Sequence, residues 1–66
     1  MKFGEILNEL LKSNELSQAE LAKEIGFSQR AVSKWVNNQS EPTATAIVRC
    51  AVFFQVSTDY LLGLDN

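Results

Sequence analysis

Between Ser17 and Asn37 the chain specifies two short helices and leaves almost nothing to join them. Ser17-Gln18-Ala19-Glu20 is a capping box: the serine oxygen can accept the N–H of Glu20 while the glutamate accepts the N–H of Ser17. The helix it starts is predicted over Gln18 to Ile25, with Leu21, Ala22 and Ile25 inward. Gly26 follows as a stop able to take the left-handed conformation. Phe27 is expected to be buried in the turn, and Ser28 caps a helix that closes at Asn37. Two helices with so short a joint must cross steeply, and Ala22 is small enough to let them approach. That is helix-turn-helix geometry.

The second of these helices has two unlike sides. Val32, Trp35 and Val36 stand at i, i+3 and i+4 and form an apolar back, so Trp35 is expected in the core. Gln29, Ser33 and Asn37 make a polar row, with Arg30 and Lys34 beside it. Every side chain in those two rows can donate a hydrogen bond, and none is an acid. Such donors match the base edges of the DNA major groove: Gln pairs with adenine N6/N7, Arg or Lys with guanine O6/N7.

The flanking sequence reads as more helix. Phe3, Ile6, Leu7, Leu10 and Leu11 recur at helical spacing, which predicts a first helix from about Lys2 to Ser13, broken at Asn14-Glu15. Asn37-Asn38-Gln39-Ser40-Glu41-Pro42 is a polar loop. Thr43 caps a fourth helix from Ala44 to about Phe54, and Ser57 caps a short fifth one reaching Leu62 before Gly63. The expectation is an all-α domain of five helices filling residues 1–66.

Length and composition exclude several classes. At 66 residues and 45% hydrophobic, the chain makes one small domain. It has no apolar run long enough to span a membrane and no signal peptide, so a cytoplasmic protein is expected. One cysteine and no histidine leave no internal disulfide and no zinc site; Cys50 reads as a small buried residue. No nucleophile stands beside a base, so no enzymatic activity, cofactor or small-molecule ligand is expected. Six basic against eight acidic residues is an unusual balance for a nucleic-acid binder. The acids, however, lie elsewhere: Glu5, Glu9 and Glu15 near the start, Asp59 and Asp65 near the end, and none from Gln29 to Ser40. Lys12, Lys23 and Arg49 read as ordinary solvated charges. Met1 and the ending suggest a complete small protein, and the N-terminal domain of a longer one would read the same.

The block Leu-Ser-Gln-Ala-Glu-Leu-Ala-Lys-Glu-Ile-Gly-Phe-Ser-Gln from Leu16 to Gln29 resembles the phage repressor and Cro-like helix-turn-helix domains, the XRE family. Val32, Trp35, Glu41, Pro42 and the block Val-Ser-Thr-Asp-Tyr-Leu-Leu-Gly from Val56 to Gly63 extend the likeness over essentially the whole chain. The resemblance implies a compact five-helix lambda repressor-like fold and sequence-specific binding of double-stranded DNA by a transcription regulator, a repressor of the phage or prophage type. It also implies roles. Gln29, Arg30, Ser33 and Lys34 match positions that present side chains to bases. Gln18 and Ser28 match positions that hold the DNA backbone, as do the loop residues Asn37, Asn38 and Gln39 and, after them, Thr43.

Three departures stand out. Many members carry an arginine where this chain has Leu11 and a glutamate where it has Val36; the pair reads as a joint apolar substitution with its side chains in contact, since packed apolar residues often replace a buried ion pair without loss. The loop lacks the family's frequent lysines, which predicts a shallow salt dependence. The fourth helix carries Val48, Val52, Phe53 and Phe54, more apolar surface than one inward stripe needs. Val52, Phe53, Val56, Leu61 and Leu64 are therefore expected to form a dimer interface on a near-palindromic operator. A rival reading, an antitoxin-like or adaptor module that binds protein, draws on the same greasy helix and the acidic balance.

Overall fold

The structure is a computed structural model that describes residues 2–64; Asp65, counted above with the terminal acids, lies outside them. Among the described residues there are five helices and no strand: α1 (Phe3–Ser13), α2 (Gln18–Ile25), α3 (Gln29–Val36), α4 (Ala44–Phe54) and α5 (Thr58–Leu62).

Each boundary has a local cause. Four helices begin under a hydroxyl: Ser17, Ser28, Thr43 and Ser57 accept the N–H of Glu20, Ala31, Ala46 and Tyr60 at 3.1, 3.1, 3.1 and 2.9 Å. Each such cap stabilises its helix by about 1 kcal/mol relative to alanine. The capping box at α2 is complete, with Glu20 accepting the Ser17 N–H at 2.9 Å. That backbone hydrogen bond, with the Ser17 side chain second, holds the Glu20 carboxyl below its ordinary range. Only α1 starts without a side-chain cap, at Lys2.

All five helices end in one way. A single residue turns left-handed: Glu15 (φ 52°), Gly26 (75°), Asn38 (58°), Gln55 (57°) and Gly63 (76°). The next N–H then reaches back to a carbonyl one turn inside the helix: Leu16 to Leu11, Phe27 to Ala22, Gln39 to Lys34, Val56 to Ala51 and Leu64 to Asp59, all within 3.0 Å. This is the Schellman closure, which satisfies carbonyls the helix itself leaves open. The sequence announces only the two glycine cases.

Packing puts α3 against both α1 and α2, while α4 bridges α2 and α5 and α5 returns to α1. The core is Phe3, Leu7, Leu11, Leu21, Ala22, Ile25, Val32, Trp35, Ala46, Cys50, Ala51 and Leu61. Trp35 is its hub. It meets Phe3 edge-on with ring centroids 6.2 Å apart and Phe27 at 5.2 Å, so one side chain of α3 is clamped by α1 and by the turn. Gly4 lets α1 approach closely: a Cβ there would collide with the Trp35 carbonyl and crowd the Asn38 side chain. Leu11 is buried and Val36 half-buried in this same cluster, so both positions of the altered pair serve the core.

Two expectations need correction. Leu61, assigned to a dimer surface, is wholly buried. A five-residue terminal helix has room for one inward anchor, and Leu61 is it. Arg49 is not an idle charge. Its Nη1 donates to the carbonyl of Ile25 at 3.0 Å, and its guanidinium lies over the Phe27 ring at 5.7 Å. It braces the turn of the helix-turn-helix from α4.

Candidate nucleic-acid interface

Among the described residues the core holds no polar or charged side chain, so function has to be sought on the surface. The backing of α3 fixes which face is free. Val32 and Trp35 point inward, which leaves Gln29 and Arg30 exposed and Ser33 and Lys34 half-buried along the helix.

These four residues line one open hollow, and Gln39 joins them from the following loop. Two cations and three neutral hydrogen-bonding side chains thus share a surface with no acid in its lining. A second hollow continues from it, lined by Asn38, Gln39, Ser40 and Glu41. Asn37 lies exposed at the end of α3, where its Nδ2 donates to Ser33 Oγ at 3.5 Å, a long bond within the same polar row.

The remaining residues expected at the DNA backbone stand apart from both hollows, each at the first turn of a helix. Gln18 is the first residue of α2 and half-buried; Ser28 and Thr43 are exposed N-caps of α3 and α4. Both cap oxygens already accept a backbone N–H, which leaves each O–H proton free to donate. Helix N-termini with free N–H groups are sites where phosphate oxygens are readily held.

The surface expected for dimerisation divides. Val52 is 72% exposed, Phe53 38% and Leu64 67%. Val56 is half-buried, packed on the core where it closes α4. Val48, at 53% exposed, was not among the expected interface residues, though helical spacing places it one turn before Val52. Val48, Val52 and Phe53 form a hollow with Ile25, flanked by Glu24 and Arg49.

Cys50 is buried, and desolvation pushes its thiol up to about 11 from 9.0. A reactive or redox-sensing cysteine requires the opposite shift. Among the described residues no helix is long and apolar enough to cross a membrane.

A family model described as helix-turn-helix matches residues 7–61. The HTH-type transcriptional activator BcrR of Enterococcus faecalis is 34% identical over 63 residues, 96% of this chain and 31% of BcrR. Repressor protein C2 of Salmonella phage P22 is 34% identical over 62 residues, 94% of this chain and 29% of that protein. The chain therefore spans about a third of the length of these two relatives. The crystal structure of the P22 c2 repressor protein in complex with a synthetic operator matches with a TM-score of 0.88 at 33% identity, covering 96% of both chains. A transcriptional regulator from Listeria innocua matches at 0.89 with 26% identity, over 97% of this chain and 60% of that one. With its closely packed and shortly joined α2 and α3, its five-helix frame and these likenesses, the chain belongs to the helix-turn-helix family of the phage-repressor, or XRE, type.

Proposed function

We propose that this chain is a sequence-specific double-stranded DNA-binding transcription regulator of the phage-repressor type, working in the cytoplasm. The observation that carries the reading is the hollow on α3, where Gln29, Arg30, Ser33 and Lys34 stand together without an acid. Each bidentate pairing of such a side chain with a base discriminates by about 1–3 kcal/mol. The likeness to a P22 c2 repressor held on operator DNA supports the same role for this face. Occupying a promoter is enough to repress it, and this requires no catalytic group, cofactor or small ligand.

In vitro selection from a random duplex pool, repeated at two salt concentrations, tests the reading. The expected result is a defined motif bound more weakly at the higher salt. Recovery of no motif at either concentration overturns it. Arg30→Ala or Lys34→Ala should relax preference at one position, whereas Gln18→Ala should weaken all sequences alike.

We further propose that two copies bind together through the α4 strip of Val48, Val52 and Phe53, with Leu64 beyond α5. Glu24 and Arg49 flank the strip. In a two-fold contact the acid of one copy faces the base of the other, which makes the surface self-complementary. So few exposed side chains fall short of the ~800 Å² per partner of a stable interface. The pair is accordingly expected to form on DNA, with its recognition helices about 34 Å apart on a near-palindrome. Sedimentation with operator DNA should give two chains per duplex; one chain per duplex at saturation removes the dimer. The same strip favours a second reading, an adaptor module on this fold, which predicts association that no salt-dependent DNA binding accompanies.

A further inference from the structure

The geometry points to Gln39 as a fifth base-reading side chain, placed in the major groove by the closure of α3 rather than against the DNA backbone. This rests on the reading of α3 as the recognition helix and names a further residue within it.

Five helices share one closure, and the residue after the left-handed position is apolar in four: Leu16, Phe27, Val56 and Leu64. The first three pack on the core and staple their helix ends. At α3 that place belongs to Gln39, which is polar and exposed. An apolar contact normally accompanies this motif, so the closure of α3 does without it.

The residue it carries instead is placed usefully. The left-handed turn at Asn38 folds the chain back, and the Gln39 N–H bonds to the Lys34 carbonyl at 2.8 Å. That bond ties the Gln39 backbone to the helix one turn back, and Gln39 lines the hollow formed by Gln29, Arg30, Ser33 and Lys34 as well as the one that continues from it. A base reader has to be held in register with its neighbours, because a bidentate pair tolerates little displacement. A loop residue on a phosphate is under no such demand. Gln39 lies past the end of α3 but is tied back to it by that bond to Lys34, and its amide offers both the donor and the acceptor that adenine N6/N7 requires.

Selection from a random duplex pool, run on the wild-type chain and on Gln39→Ala and Gln39→Glu, tests this. Alanine keeps the backbone N–H and therefore the closure, and a thermal melt unchanged from wild type confirms it. The expected result for Gln39→Ala is a motif in which one position per half-site loses roughly tenfold or more discrimination while the others hold. Gln39→Glu should move that position toward cytosine, whose N4 donates. A uniform loss across all sequences in both variants, with the motif intact, overturns the assignment and makes Gln39 a backbone contact. Failure of the wild-type chain to select any motif overturns the recognition-helix reading itself and this inference with it.

Discussion

Arg49 and Ile25 are joined by one hydrogen bond of 3.0 Å, from the guanidinium on α4 to the last carbonyl of α2. It ties a helix outside the helix-turn-helix to the point where that motif bends. A cation near a helix C-terminus also complements its partial negative charge, and Phe27 under the guanidinium adds a cation–π contact.

Arg49→Met should therefore loosen the turn while keeping most of the apolar bulk. Because the side chain is largely exposed, the loss of stability is expected at about 1 kcal/mol, below the ~1.5–3 kcal/mol of a buried hydrogen bond to a charged group. Affinity should fall on all sequences by a similar factor, with the selected motif unchanged. Denaturant unfolding followed at Trp35, together with competition binding, measures both; an altered motif would count against the bracing role.

Gly4→Ala should cost more. The added methyl meets the carbonyl of Trp35 and the side chain of Asn38, where backbone cannot yield cheaply. Overpacking of this kind costs typically 1–3 kcal/mol, and for a chain this short each kcal/mol lowers the melting temperature by roughly 4–8 °C. A melt within 2 °C or so of wild type, by the same scale, would show that α1 can shift away.

Neither residue could be read from the sequence. Caps and the turn were legible because their chemistry is local: Ser17 and Glu20 stand three positions apart, and Gly26 advertises its own conformation. The apolar back of α3 was legible from its period. Arg49 and Gly4 act across the fold, Arg49 on a carbonyl 24 positions away, and nothing in their immediate surroundings points there. Leu61 was misplaced for a related reason. A short terminal helix carries too few turns for its period to say which leucine is inward. The left-handed stops at Glu15 and Gln55 are not legible because neither residue type favours that conformation, and Asn38, whose type does, stands in a polar loop beside a second asparagine that could take the same place.

Those non-glycine stops carry a prediction of the opposite sign. A left-handed L-residue costs roughly 1–2 kcal/mol, and a glycine there gives back about 0.5–1 of it in chain entropy. Gln55→Gly should thus stabilise the fold by a few tenths to about 1 kcal/mol. Gln55 is exposed and outside the proposed DNA face, so binding should be unchanged. Thermal melts decide it, and destabilisation would mean the glutamine side chain makes a contact of its own.

The Cys50 thiol gives a pH window. Its folded value of about 11 lies above its ordinary 9.0, because burial disfavours the thiolate. The folded chain therefore holds a proton that the unfolded chain gives up, and stability falls as pH rises from 9 to 11, being fully present below 9. Cys50→Ala should start less stable, from the lost packing, yet fall less over that window. Parallel slopes for the two proteins between pH 9 and 11 would show that the thiol contributes nothing there. Alkylation at neutral pH should likewise be slow until the chain unfolds.

Glu41 sets a limit on affinity that one substitution can lift. It lines the hollow after α3 with Asn38, Gln39 and Ser40, an acid at the edge of the proposed DNA face. Arg30 and Lys34 are the cations of the reading surface, so the salt dependence is expected to be shallow, about 0.9 per phosphate neutralised. Glu41→Lys should steepen that dependence by about one such contact per chain and raise affinity for all sequences at low salt. Titrations over a range of salt concentrations report the slope directly.

Of the five side chains proposed to read bases, all but Ser33, whose Oγ accepts from Asn37, take no part in holding the fold together. Gln29, Arg30, Lys34 and Gln39 belong to neither the core nor a cap, and the backbone that positions them is closed by Ser28 at one end and by the Asn38 turn at the other. Recognition and stability are thus written on separable sets of residues. A lineage built on this frame can exchange one operator for another through a handful of substitutions, each nearly silent to folding, without first acquiring a stability reserve to spend on the change.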